Sequence, residues 1–134
     1  MKVLVTGANG LLGSNIVREL EKRGLEARAM VRPNARLLSL RGCQPEYFFG
    51  DITLYEDLEA ATRDCDYIIH TAAVTRQTLP GLKDYLKVNL GGTQNVIDAA
   101  LKNKIKKLIY VSSTNSIGYG NKANPGTEEK AAMK

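Results

Sequence analysis

Three glycines spaced three apart, in Thr6-Gly7-Ala8-Asn9-Gly10-Leu11-Leu12-Gly13, separate a continuous apolar run from an amphipathic stretch, and no other feature constrains the fold as much. The run before them, Lys2-Val-Leu-Val-Thr6, reads as a strand buried on both faces of a parallel sheet. After them, Leu12, Ile16, Val17 and Leu20 recur at helical spacing, and Gly24 is placed to end that helix. Gly7 permits a tight turn off the strand, Gly10 lets the backbone approach an anion with no Cβ in the way, and Gly13 lets the helix pack closely. The first amides of a helix lack intrahelical partners, and together with the helix dipole they favour a pyrophosphate. Gly7, Asn9, Gly10, Leu11, Leu12 and Gly13 are therefore the candidate phosphate-binding residues.

The alternation continues along the chain. Glu26 to Val31 reads as a second strand, Asn34 to Leu40 as a short helix and Pro45 to Phe49 as a third strand. Leu54 to Thr62 is helical, Asp66 to His70 a fourth strand, Gly81 to Leu101 a long helix and Lys107 to Ser112 a fifth strand. Asn115 to Lys134 is rich in Asn, Gly, Lys and Glu and reads as a long loop with at most a weak final helix. Right-handed crossovers between such units give a doubly wound, Rossmann-like α/β sheet with expected strand order 3-2-1-4-5, truncated after the fifth strand. A ligand crevice is expected at the switch beside strand one, outside the strand carboxyl ends.

A length of 134 residues suits one domain, 1–134, and no repeat or low-complexity stretch argues otherwise. Apolar runs such as Val3 to Val5 are far shorter than the ~20 residues of a membrane helix, and the start of the chain shows no secretory pattern, so the default location is the cytoplasm. Cys43, Cys65 and the single His70 share no metal-ligand spacing; no metal is expected, and both thiols read as reduced. The net charge of +5 gathers partly in Lys102, Lys104, Lys106 and Lys107, where cations suit a helix C-terminus. Without an aromatic platform or basic stripe, a nucleic-acid partner is not expected.

About 20 residues beyond a phosphate loop of this kind, an Asp or Glu receives the ribose 2′-hydroxyl of NAD. Val31-Arg32-Pro33 stands there instead. A guanidinium accepts no hydrogen bond but pairs with a 2′-phosphate, and Arg36 is expected one helical turn further on. NADP is the expected cofactor, with NAD as the alternative; the bland reading makes Arg32 a solvated residue leaving a strand.

Thr-Gly-x-x-Gly-x-x-Gly in this position resembles the extended short-chain dehydrogenase/reductase family, and further matches extend over essentially the whole chain. Gly50-Asp51-Ile52 is similar to the family's Gly-Asp-(Ile/Leu), in which the Asp side chain and the next amide meet the adenine; otherwise Asp51 caps the helix that follows. His70-Thr71-Ala72-Ala73 is similar to His-x-Ala-Ala, whose small residues let the backbone run beside the cofactor. His70 itself reads as a packing residue, because no acid partner is identifiable. Val88-Asn89-Leu-Gly-Gly-Thr-Gln-Asn95 resembles the family's Val-Asn-x-x-Gly-Thr-x-Asn, with Asn89 bracing the active-site end of the sheet.

Tyr110-Val111-Ser112-Ser113-Thr114 resembles the family segment that carries the hydroxyl for the substrate carbonyl. The resemblance implies Thr114 as the catalytic hydroxyl, with Ser113 the runner-up and Ser112 beside the cofactor. Taken alone, the segment also reads as a strand end whose hydroxyls satisfy loop backbone. Asn115-Ser-Ile-Gly118-Tyr119-Gly120 departs from the family's Ala-Val-Tyr-Gly, which clouds the substrate and the place of Tyr119.

The family's proton donor is a tyrosine four residues before a lysine. Positions four beyond Tyr47, Tyr55, Tyr67, Tyr85, Tyr110 and Tyr119 are Asp51, Glu59, Thr71, Asn89, Thr114 and Ala123. Pro125-Gly-Thr-Glu128-Glu129 resembles the segment before the catalytic helix, so the expectation is a cofactor-binding portion, inactive alone, without the Tyr/Lys pair and substrate domain. The whole enzyme is expected to pass hydride between NADP(H) and a carbonyl or alcohol, as in dihydroflavonol reductases and hydroxysteroid dehydrogenases, with a homodimer as its candidate assembly. The rivals are a nucleotide-sugar epimerase or dehydratase and a non-catalytic dinucleotide sensor.

Overall fold

The computed structural model describes residues 1–75, 81–116 and 120–127. Five parallel strands, β1 (Lys2–Thr6), β2 (Glu26–Val31), β3 (Glu46–Phe49), β4 (Tyr67–His70) and β5 (Lys107–Tyr110), form one sheet in the order β3-β2-β1-β4-β5. This is the Rossmann-like order expected above. Register is set by apolar partners in the middle of the sheet: Val5 lies opposite Ala29 on one side and Ile69 on the other.

Successive side chains of β1 and β2 enter opposite faces, and each face has its own helices. Val3, Val5, Ala27, Ala29 and Val31 pack with Val17 and Leu20 of α1 (Leu11–Lys22) and with Leu40. Leu4, Met30 and Ile68 pack with Leu58 and Ala61 of α2 (Tyr55–Ala61) and with Val96 and Ala99 of α4 (Gly92–Lys102), which follows the short α3 (Leu82–Tyr85). Each such aliphatic side chain contributes about 1.5–3 kcal/mol on full burial. The two layers hold the carboxyl ends of β1, β2 and β4 in fixed relation.

Arg28 is a polar exception within β2. Its Nη1 donates to the Ala61 and Arg63 carbonyls, both at 2.7 Å, and its Nη2 lies 2.8 Å from Glu46 Oε1. Lys2 Nζ reaches Oε2 of the same carboxylate at 2.8 Å. This network closes the amino ends of β1, β2 and β3, opposite the expected crevice. Hydrogen bonds from Lys2 and then Arg28 hold the Glu46 carboxyl below its usual range. Cys43 and Cys65 are free thiols, and burial raises the pKa of both.

Three expectations are corrected. Asn34 to Leu40 is not a helix: Ala35 N–H closes a turn on the Arg32 carbonyl at 3.0 Å, Asn34 has φ +64°, and only Leu38–Leu40 forms a 3-10 turn. Positive φ at Asn34 is incompatible with helical continuation, so Arg36 does not sit one helical turn beyond Arg32. The long helix expected from Gly81 to Leu101 divides into α3, a π-helical segment over Leu86–Gly91, and α4. β5 stops at Tyr110, two residues earlier than expected, and the chain beyond it turns, with Ser116 N–H and Oγ donating to the Ser113 carbonyl at 3.0 and 2.6 Å and Ser112 Oγ 3.3 Å from Ser116 Oγ. Tyr119, Glu128 and Glu129, with the weak helix expected near the end of the chain, lie outside the described residues. Among the described residues no helix is long and apolar enough to cross a membrane.

Candidate functional site

The first turn of α1 begins at Gly10, whose carbonyl accepts the Ser14 N–H at 3.0 Å, so the amides of Leu11, Leu12 and Gly13 precede the first intrahelical bond. Their approach to the strand end depends on Gly7 and Gly13. Gly7 has φ +67°, and a Cβ there would stand 2.8 Å from the Ala72 backbone. A Cβ on Gly13 would stand 2.2 Å from the Gly7 carbonyl. A side chain at Gly7 would push the turn off the β4 loop, and one at Gly13 would push α1 off the turn.

These elements border a cleft of about 450 Å³ outside the carboxyl ends of β1, β2 and β4. Gly7, Asn9 and Gly10 line it from the glycine turn, Arg32 from the residue after β2, Asp51 and Ile52 from the loop after β3, and Thr71, Ala72 and Ala73 from the loop after β4. Leu11, Leu12, Gly13, Asn89 and Ser112 were expected beside a cofactor and do not line it. Leu11 turns its side chain to solvent, leaving only its amide at the helix end, and Gly13 is packed beneath the turn.

Met30, Val31, Gly50, Val74 and Val88 also line the cleft and were missed. Their signal was present in part, since Gly50 and Val88 open motifs already recognised. Val74 follows Ala73 with no pattern of its own. A second, shallower cavity of about 480 Å³ lies by Glu21, Gly42 and Glu46, at the opposite end of the sheet from the glycine turn.

Asn89 acts on the cleft from behind. Its Oδ1 accepts the Val74 N–H at 2.8 Å and its Nδ2 donates to the Val74 carbonyl at 3.0 Å, so one side chain closes both backbone groups of a cleft residue. The π-helical segment carries Asn89, and such segments mark functional sites in many helices. Next, Gly92 lets α4 press on Ile52, where a Cβ would come within 2.7 Å of Ile52 Cδ1, and Asn95 Nδ2 donates to the Ile52 carbonyl at 3.0 Å.

His70 is a structural histidine. It is 1% exposed, its Nδ1 is 2.6 Å from Thr6 Oγ1 and its Nε2 is 3.0 Å from Thr93 Oγ1. No carboxylate reaches the ring among the described residues, and burial pushes its pKa down to about 4, which keeps it neutral near pH 7. Its carbonyl accepts the Val111 N–H at 3.0 Å, which sets Ser112, Ser113 and Thr114 beyond the end of β5. All three are exposed.

Asp51 serves its own loop: Oδ1 accepts the Thr53 N–H at 2.8 Å, and its amide donates to Asp57 Oδ2 at 2.8 Å. This local turn accounts for part of the Gly-Asp signal while leaving Asp51 in the cleft wall. Arg32 is exposed at the rim, and neither it nor Arg36 takes part in an ion pair among the described residues. The cleft is thus bordered by the glycine turn that leads into the α1 amino end, by small residues along one wall and by a cation at its rim, an arrangement that fits an elongated phosphate-bearing group.

Comparison with known proteins decides the family, because the 3-beta hydroxysteroid dehydrogenase/isomerase family model matches residues 4–133. The chain belongs to that family. The membership agrees with the extended short-chain dehydrogenase/reductase motifs read from the sequence. Sterol demethylase protein B of Methylococcus capsulatus is 30% identical to this family member over 118 residues, which are 88% of this chain and 36% of that protein. A 4-hydroxy-2-methyl-3-oxo-4-farnesyl-3,4-dihydroquinoline-1-oxide ketoreductase of Stigmatella aurantiaca is 32% identical over 115 residues, 84% of this chain and 34% of that protein. The crystal structure of a Thermus thermophilus UDP-glucose 4-epimerase in complex with NAD superposes with a TM-score of 0.83 at 28% identity, covering 99% of this chain and 44% of that one. The family member therefore spans little more than a third of the curated relatives it matches.

Proposed function

We propose that this chain is the dinucleotide-binding portion of an NADP(H)-dependent oxidoreductase that interconverts a carbonyl and an alcohol. The observation that carries the reading is that the glycine turn, up to Gly10 at the head of α1, and Arg32 line one cleft. In this reading the pyrophosphate lies over Gly10 and Gly13, the 2′-phosphate meets Arg32, and the adenine lies by Asp51 and Ile52. The wall of Thr71, Ala72 and Ala73 leaves room for the rest of the cofactor, with Asn89 holding that wall in place. When bound, the nicotinamide supplies hydride transfer.

Thr114, with Ser113 as the alternative, is the hydroxyl that would hold the substrate oxygen, with Ser112 beside the cofactor. The coupled proton would come from a Tyr/Lys pair, which these 134 residues do not contain. Assembly as a homodimer belongs to the same proposal and is supported by Leu82, Leu86 and Leu90, which recur at helical spacing and are all exposed. A nucleotide-sugar epimerase or dehydratase is the second reading, favoured by the likeness to the epimerase in complex with NAD.

Titration of the chain with NADPH and with NADH, followed by nicotinamide fluorescence, tests the first reading. Tighter binding of NADPH is expected. Equal affinities would remove the reason for choosing NADP(H).

A further inference from the structure

We propose that Ser39 and Asn9 form a clamp that sets the preference between phosphorylated and unphosphorylated dinucleotides. The clamp holds the arginine-bearing segment after β2 against the glycine turn. The proposal rests on the reading that the cleft binds a nicotinamide dinucleotide.

The segment needs such a device. Beyond Val31 it leaves the sheet, turns at Arg32 to Ala35 and contains no helix until the short 3-10 turn at Leu38, so no backbone ladder fixes Arg36. Leu40, 1% exposed, anchors its far end in the core. Between these points Ala35 and Leu37 pack against the core, and the polar contacts run to the glycine turn. Ser39 Oγ donates to the Asn9 carbonyl at 2.7 Å, and Asn9 Nδ2 donates to the Arg36 carbonyl at 3.3 Å. Arg18 adds a second tie from α1, its guanidinium donating to the carbonyls of Ser14 and Ser39.

Asn9 is thus in two places at once. It lines the cleft beside Gly10 and Arg32, and both its backbone carbonyl and its side chain bind the segment that carries Arg36. The spacing between the glycine turn and the backbone that carries Arg36 is therefore set through Asn9 and Ser39, with Arg18 as the second tie. A loop ordered before binding costs less to engage than one ordered by the ligand. A 2′-phosphate pairs with a guanidinium through charge-assisted, bidentate bonds, whereas a 2′-hydroxyl gains at most one weaker neutral-acceptor bond. Loosening the clamp should therefore weaken one cofactor selectively. A residue that merely supported the fold would weaken both alike.

Ser39 does not line the cleft, which makes it the variant of choice. Dissociation constants for NADPH and NADH are measured by fluorescence titration, with thermal melting of each variant in parallel. Ser39→Ala should weaken NADPH about 5-fold, the loss of about one hydrogen bond, and leave NADH within about 2-fold. Ser39→Thr, which keeps the hydroxyl, should restore most of the NADPH affinity. Arg36→Gln, at a residue outside the clamp's side chains, tests the same segment and should also weaken NADPH alone. Equal loss of both cofactors in Ser39→Ala would overturn the clamp, as would unchanged NADPH binding in either Ser39→Ala or Arg36→Gln. Failure of the unmutated chain to prefer NADPH would overturn the underlying reading and the clamp with it, and is distinguished because it appears before any substitution is made.

Discussion

The hydroxyl of Thr6 lies 2.6 Å from Nδ1 of His70, joining the last residue of β1 to the last residue of β4 directly before Gly7 and Thr71, which line the cleft. Thr93 completes the arrangement on the other ring nitrogen at 3.0 Å and brings α4 into the same link. Burial holds the folded-state pKa to about 4, against an ordinary value of 6.5. The unfolded chain therefore binds a proton at a pH where the folded chain does not. Stability from this group is fully present above pH 6.5 and is lost as the pH falls from 6.5 towards 4, at up to about 1.4 kcal/mol per pH unit. Urea unfolding at about pH 7.5, 5.5 and 4.5 should show the decline, and His70→Gln should flatten it. Glu46 and Asp66, whose pKa values are lowered by Lys2 and Lys106 respectively, lose their contributions only at lower pH.

Gly10→Val should abolish dinucleotide binding with little change in fold. Gly10 has φ −75° and ψ 170°, an extended conformation open to any residue, so the backbone is not strained by the change. A Cβ there would stand 3.2 Å from the Gly7 carbonyl, and the β-branched side chain would have to occupy space at the cleft wall. Circular dichroism should report a folded protein. Unchanged affinity in a titration would mean that the phosphates do not lie over this turn.

Arg32→Asp should reverse cofactor preference. The substitution replaces a cation at the cleft rim with an acceptor suited to a ribose 2′-hydroxyl and repulsive to a 2′-phosphate. A single lost charge-assisted pair contributes about 1.5–3 kcal/mol, or roughly 10- to 150-fold in NADPH affinity. The ratio of the two dissociation constants is the quantity to measure, and a ratio unmoved by the substitution would sink the assignment.

A protein consisting of these 134 residues should bind dinucleotide and show no turnover. Thr114 supplies a hydroxyl, but no tyrosine here precedes a lysine by four residues, and general acid–base help contributes about 10²–10⁴ in rate. Stopped-flow or steady-state absorbance at the reduced nicotinamide band, with a panel of ketones and aldehydes, measures this. Hydride transfer by these residues alone would show that the coupled proton has another source.

What the sequence determined by itself is the part of the protein governed by local pattern. The apolar continuity of Val3 to Val5 and the helical spacing of Ile16, Val17 and Leu20 mark a strand and a helix, and the glycines at 7, 10 and 13 between them point to the dinucleotide-binding sheet order that the structure has. Tertiary structure decided what depends on residues far apart in the chain. Pro33-Asn34 carries the chemistry of a turn in the local sequence, but nothing near it announced that the segment beyond would be tied to Asn9 through Arg36 and Ser39, because Asn9 lies on another element. Nothing near Arg28 announced that a strand arginine would be 7% exposed, since the carbonyls of Ala61 and Arg63 that receive it arrive from the end of α2 and the loop before β4. Val74 became part of the cleft because Asn89, fifteen residues on, takes both its backbone groups. Periodicity reports which face of an element is buried, whereas a polar side chain's partner is chosen by the packing that brings two elements together, and local sequence carries no record of that choice.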